Sequence, residues 1–163
     1  MWVMKKEIKT NVMRLLDKSG IKYETLYYDL GDEKFSGEAV SDYLGLEYDT
    51  CFKTLALKHE HDLFIAVIPV DKNLDLKKCA KAFGVKNLEM VKVKDLLKEV
   101  GYERGSVSPV GIKKKHRVAF DTGVLNHEKI EISGGLMGIG LIVDREEIIR
   151  YLKAEVLDIC EEK

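Results

Sequence analysis

Apolar residues recur at Ile8, Val12, Leu15 and Leu16 within Met4–Lys18, three and four positions apart, and Gly20 follows them. That spacing lays one apolar stripe along a helix and the glycine stops it, so the pattern predicts an N-terminal amphipathic helix. Tyr23–Tyr28 reads as a strand. Ser36 can cap a short helix through Ala39, Val40, Tyr43 and Leu44, which Gly45 ends. Phe52–Lys58 and Leu63–Val70 are β-rich runs joined by His59-Glu60-His61-Asp62, and this arrangement predicts a hairpin. A further helix runs from about Asp75 to Phe83 and closes at Gly84, and Lys94–Val100 adds one or two helical turns before Gly101.

The final third returns to strands. Val118-Ala119-Phe120, Ile130-Glu131-Ile132 and Ile139–Val143 are short apolar or alternating runs separated by turn residues, and Arg145–Cys160 predicts a closing amphipathic helix. Helices and strands mix without the regular alternation that builds parallel βαβ units. The expectation is one α+β domain over residues 1–163, with a mixed, largely antiparallel sheet or partly closed barrel surrounded by helices. No repeat, low-complexity tract or linker interrupts the chain.

Composition narrows the class. At 163 residues the chain fits one domain able to bury roughly 70% of its unfolded surface. Its 45% apolar and 34% charged residues are those of a soluble globular protein, and the apolar run Leu63–Val70, with Pro69 inside it, is too short for a membrane span. Met1-Trp2-Val3-Met4-Lys5-Lys6 lacks the apolar core of a signal peptide, so the expected location is the cytoplasm. A net charge of −1 provides no whole-molecule attraction for nucleic acid, and any polyanion contact has to be local. Lys113-Lys114-Lys115-His116-Arg117 could supply such a contact or be a solvated face; Lys77, Lys78 and Lys81, on a predicted helix, read as a solvated face. Cys51, Cys79 and Cys160 fit neither a disulfide framework nor a zinc pattern and read as reduced thiols.

Candidate chemistry centres on Gly101-Tyr102-Glu103-Arg104-Gly105-Ser106-Val107-Ser108-Pro109-Val110-Gly111. Three glycines and a proline in this stretch continue neither a helix nor a central strand, so the segment offers bare backbone amides to a ligand. Lys53 follows Phe52 and precedes Leu55 in a β run, which holds its ammonium at a strand edge. A fixed cation near free amides suits an anionic or oxyanionic group. Gly105-Ser106-Val107-Ser108-Pro109 fails as a nucleophile elbow, since proline stands where the last glycine belongs and no histidine is marked as base. His59 and His61 would share one strand face, but no third ligand follows at motif spacing, and neither a metal nor a cofactor is expected. Gly134-Gly135-Leu136-Met137-Gly138-Ile139-Gly140 leads into a strand, unlike a dinucleotide fingerprint, and reads as a turn or as a second backbone lip on the same pocket. Tyr27 and Tyr28 offer aromatic faces for stacking a base.

Taken in order, Tyr28-Asp29, Gly37-Glu38-Ala39, Leu44-Gly45, Phe52-Lys53-Thr54-Leu55, Leu74-Asp75-Leu76-Lys77-Lys78, the 101–111 run and Ser133-Gly134-Gly135 resemble the YbaK family of aminoacyl-tRNA editing domains over nearly the whole chain. The resemblance implies a trans-editing deacylase that hydrolyses mischarged aminoacyl-tRNA, Cys-tRNA(Pro) first and Ala-tRNA(Pro) next. Its implied partners are the acceptor end of aminoacyl-tRNA and prolyl-tRNA synthetase. By the same resemblance, Lys53 binds the tRNA end, Gly105 and Ser106 belong to the catalytic loop, and Val107, Ser108 and Pro109 present backbone groups to the aminoacyl moiety. Ser133, Gly134 and Gly135 complete that pocket, Tyr28 or Tyr27 lines the adenosine side, and Lys113, Lys114, Lys115 and Arg117 are candidate tRNA contacts.

The implied mechanism needs no protein nucleophile: the ester is held against amide donors while water, a ribose hydroxyl or a cysteine substrate's thiol attacks. Two positions depart from the family pattern. Ser106 stands where relatives commonly have a second glycine, and Leu136-Met137 and Gly140 replace basic residues and a polar or acidic one. A non-catalytic module that binds tRNA ends, nucleotides or a synthetase is the alternative.

Overall fold

Five α-helices pack on two sheets in the computed structural model, which describes residues 8–31 and 36–162. The helices are α1 (Asn11–Lys18), α2 (Gly37–Leu44), α3 (Leu76–Phe83), α4 (Val93–Val100) and α5 (Arg145–Leu152). The strands are β1 (Tyr23–Tyr27), β2 (Phe52–His59), β3 (Asp62–Pro69), β4 (Glu89–Met90), β5 (His116–Asp121), β6 (Lys129–Ser133), β7 (Ile139–Asp144) and β8 (Glu155–Leu157). This is the α+β architecture expected from the mixed order of elements.

Local chemistry sets the helix ends. The Ser36 hydroxyl accepts from the Ala39 N–H and the Asp75 carboxylate from the Lys78 N–H, so each satisfies a donor that its helix cannot. Gly45, Gly84 and Gly101 end α2, α3 and α4 at φ of 71°, 81° and 82°, where a side chain would be strained. The predicted N-terminal helix is shorter than its periodicity implies. Thr10 caps α1 through the Met13 N–H, leaving Ile8 outside and 42% exposed, and Met4–Glu7 lie outside the described residues.

The first sheet has the order β1-β7-β6, antiparallel throughout, with Thr25 opposite Leu141 and Leu141 opposite Ile132. The second has the order β4-β2-β3-β5-β8. β2 and β3 form the predicted hairpin, Phe52 opposite Pro69, while β5 runs parallel to both β3 and β8. Every residue of β3 except Asp62 is buried, because one face meets the core shared with the first sheet and the other meets α3. Its unbroken apolar run follows from that double burial. The sheets do not close into a barrel; they touch at a parallel bridge between Cys51 and Glu131, where β2 begins.

The predicted helix over Arg145–Cys160 is corrected by the structure. It stops at Leu152, Lys153 takes a left-handed conformation at φ 53°, and the chain then adds β8 to the open edge of β5. Apolar spacing could not separate these outcomes, because Val156 and Ile159 fit a helical stripe as well as a strand and its extension. Tertiary partners decide: the Ile159 N–H donates to Asp121 Oδ1, and its carbonyl accepts from the Asp75 N–H. No described helix is long and apolar enough to cross a membrane.

Candidate active site

β4 covers β2 at Leu57 and Lys58, and the Val91 N–H donates to the Ala56 carbonyl, so the open stretch of this edge lies between that bond and the Cys51–Glu131 bridge. A cavity of about 570 Å³ lies along it, walled by β2, the start of α2, the approach to α4, the glycine loop and β6. Gly37 lets α2 begin directly on β3's end, since a Cβ there would stand 2.5 Å from Val70 Cγ1. Lys53 is half-buried on the wall, and its ammonium donates to the Val70 carbonyl at 3.4 Å. The Thr54 hydroxyl, on the same strand, is buried without a partner among the described residues.

The loop after α4 is braced from within. Ser106 donates both its N–H and its hydroxyl to the Glu103 carbonyl, and the fully buried Ser108 hydroxyl accepts from the Val110 N–H. Tyr102 donates its hydroxyl to the Val110 carbonyl. Ser133 links this loop to the second glycine turn: its hydroxyl donates to the Ser106 carbonyl at 3.0 Å and accepts from the Gly135 N–H at 3.1 Å. Gly105, at φ 92°, and Val107 both line the cavity, and their N–H groups make no hydrogen bond within the described residues.

Lys53, Gly105, Val107, Ser133 and Tyr28 therefore converge on one cavity. Ser106, Ser108, Pro109, Gly134 and Gly135 are not part of its wall and lie within or beside the loops that form it. Tyr27 pairs with Ile139 and packs on the core; with Tyr28 it borders a separate cavity of about 330 Å³ that also contains Leu136 and Met137. None of Lys113, Lys114, Lys115 and Arg117 lines the larger cavity. Lys114 pairs with Glu99, and Arg117 pairs with Glu155, donates to the Phe83 carbonyl and stacks 5.0 Å over the Phe83 ring. The cations beside Lys53 on the wall are Lys92 and Arg104.

Glu131 is the wall residue that the alternation Ile130-Glu131-Ile132 does not reveal, because an acid between two isoleucines suggests a solvent-facing position on a one-sided sheet. In the structure Glu131 is 6% exposed. Burial pushes its carboxyl up to about 7, opposed in part by a hydrogen bond from the Cys51 thiol. Burial also pushes the Cys51 thiol up to about 11, so it stays protonated and is a poor nucleophile at neutral pH. A Cβ at Gly140 would stand 2.3 Å from Glu131 Oε2; the carboxyl occupies the room left by that glycine. Gly140 was the available signal, since a glycine inside a strand marks a close approach. Among the described residues, no cluster of three potential metal ligands occurs, and His59 contacts Asn87 at 3.1 Å.

The family model for the aminoacyl-tRNA editing domain matches residues 32–151. The chain belongs to that family. A candidate Cys-tRNA(Pro)/Cys-tRNA(Cys) deacylase of Enterococcus faecalis, EbsC, is 33% identical over 156 residues, spanning 95% of each chain. A proline–tRNA ligase of Thermosipho africanus is 27% identical over 97 residues, 60% of this chain and 17% of the ligase. The crystal structure of a candidate trans-editing enzyme for prolyl-tRNA synthetase has the same fold, with a TM-score of 0.80, 19% identity, and coverage of 95% of this chain and 99% of its own. Within this aminoacyl-tRNA editing domain, Ser106 turns its hydroxyl back into the loop, while the space beside Gly140 is filled by an acid from the neighbouring strand.

Proposed function

We propose that the chain is a trans-editing deacylase for mischarged prolyl tRNA, acting on Cys-tRNA(Pro) first and Ala-tRNA(Pro) second. The observation that carries this reading is that Gly105 and Val107, whose N–H groups have no hydrogen-bond partner among the described residues, line a cavity that also contains Lys53. Family membership supports the reaction class, and the name of the Enterococcus faecalis relative supports the cysteine substrate. Residues 1–163 are read as one such domain, working in the cytoplasm beside prolyl-tRNA synthetase, whose Thermosipho africanus form contains a similar segment.

The chemistry asks for little from side chains, because an aminoacyl ester is already activated. Its carbonyl oxygen accepts from the Gly105 and Val107 N–H groups, and these donors stabilise the negative charge that grows as the carbonyl is attacked. Water supplies the attacking atom, with the neighbouring ribose hydroxyl positioned to orient it and take its proton; with a cysteine substrate the thiol can attack first, leaving a thiolactone that water then opens to cysteine. The ester C–O bond breaks, and the ribose oxygen takes the proton. Lys53 holds the terminal phosphate, which fixes the ester in the cavity. A second hydrolytic site is needed physically, since a synthetase pocket separates side chains that differ by one methylene only about 10- to 200-fold.

The test is direct. Purified protein given Cys-, Ala- and Pro-tRNA(Pro) should release cysteine fastest, alanine next, and spare proline. Binding of these tRNAs without hydrolysis of any would replace the reading with a non-catalytic tRNA-end module.

A further inference from the structure

Four charged residues line the cavity among the described residues, and they are sorted by depth. Lys92 and Arg104 are exposed at the mouth, Lys53 is half-buried, and Glu131, the one acid, is buried on β6. An aminoacylated 3′-end has a matching polarity. Its phosphate is anionic and remains outermost, while the α-ammonium of the amino acid is cationic and enters with the ester. We propose that Glu131 is the subsite for the substrate's α-ammonium group, a role that rests on the editing reading above.

The surroundings of Glu131 suit that occupant. No lysine, arginine or histidine pairs with its carboxyl among the described residues, so the charge has no internal counter-ion. The groups that face it are the Cys51 thiol from the start of β2, the Tyr28 phenol from the end of β1, and Gly140 from β7, which brings no side chain. Glu131 and Ser133 are two residues apart on β6 and both line the cavity, as same-face residues of a strand do. Ser133 holds the Ser106 carbonyl, between the two free amides of Gly105 and Val107. The acid and the amide donors thus share one continuous wall, and an amino acid's ammonium and carbonyl are separated by a single carbon. With the carboxyl held near 7, the empty site carries a proton part of the time, and an arriving ammonium displaces it to solvent.

The experiment uses amide-linked analogues that cannot be hydrolysed, 3′-(L-cysteinylamino)- and 3′-(L-alanylamino)-3′-deoxyadenosine 5′-phosphate, against their counterparts lacking the amino group. Calorimetric titration of the wild-type protein at pH 7 should favour the amino-bearing form at least tenfold and release up to about half a proton per ligand. Glu131→Gln should bind both forms alike and release no proton. Gly140→Ala keeps the acid but drives its oxygen from the space it fills, and should also lose the preference. A wild-type protein without the preference, or a preference surviving in folded Glu131→Gln, overturns the proposal. Absence of binding by either amino-bearing analogue does so too. Deacylation measured in parallel separates the two readings: hydrolysis without amino preference removes only the subsite, and amino preference without hydrolysis removes only the editing activity.

Discussion

Replacing Glu131 by glutamine should stabilise the protein at high pH and not at low pH. The carboxyl is 6% exposed and is held at about 7, against an ordinary 4.5. Below 4.5 the folded and unfolded chains are both protonated at this position, and the group contributes no pH dependence. As pH rises from 4.5 to 7 the unfolded chain ionises first, while the folded chain keeps its proton, so the folded state is progressively disfavoured. Above 7 both are ionised and the folded state carries the full cost of a buried carboxylate. At about 1.4 kcal/mol per pKa unit, the difference amounts to roughly 3 kcal/mol. Urea unfolding of wild type and Glu131→Gln at pH 5 and pH 8 measures it. Because the unfolded carboxyl is already partly ionised at pH 5, the variant's advantage should grow by about 2.5 kcal/mol between the two, on the order of 1 M in urea midpoint. An advantage that is the same at both pH values would show that the carboxyl is not desolvated as described.

The remaining predictions concern the loop, the lysine and the thiols. Lys53→Ala should lower kcat/KM for deacylation about 10²-fold, with a thermal midpoint within a few degrees of wild type, because among the described residues the ammonium makes a single 3.4 Å bond, to the Val70 carbonyl; an unchanged rate would remove Lys53 from the mechanism. Gly105→Ala places a side chain at φ 92°, should cost about 1–2 kcal/mol of stability, and should reduce kcat by about 10²–10³ if the amide turns from the carbonyl oxygen. Native protein should take up a thiol reagent slowly at pH 7.5, and all three cysteines should react after denaturation, since each is buried and its thiol is raised to between about 11 and about 12. Rapid labelling of Cys51 in the folded protein would reopen a thiol-based mechanism.

Much of the fold was legible because short-range chemistry agreed with the tertiary outcome. Ser36, Asp75, Gly45, Gly84 and Gly101 mark helix ends by groups that lie within a few residues of the hydrogen bonds they satisfy. The β2–β3 hairpin is likewise local. β8 was not legible, because its partner strand ends more than 30 residues earlier and its apolar spacing suits two structures. Lys53 and the glycine loop could be singled out from composition, whereas Arg104 and Lys92 gain significance only when α4 and β4 bring them to the open edge of β2. Glu131 shows the same limit from the opposite direction. Strand alternation reports which face a residue is on, not what covers that face.

The pairing of β1 with β7 constrains when the site can exist. Tyr28 is fixed through the Gly138 carbonyl, and Glu131 and Ser133 sit on β6, so the cavity's first and last contributors are separated by about a hundred residues of synthesis. Translation proceeds at about 5–20 residues per second, which leaves β1 without its partner for several seconds after it emerges. The β2–β3 hairpin can fold in that interval, but the wall that would hold the aminoacyl group is assembled only after β7 is released. A nascent chain therefore contains Lys53 in place before it contains a pocket, and binding of a tRNA end by truncated chains would be electrostatic and unselective.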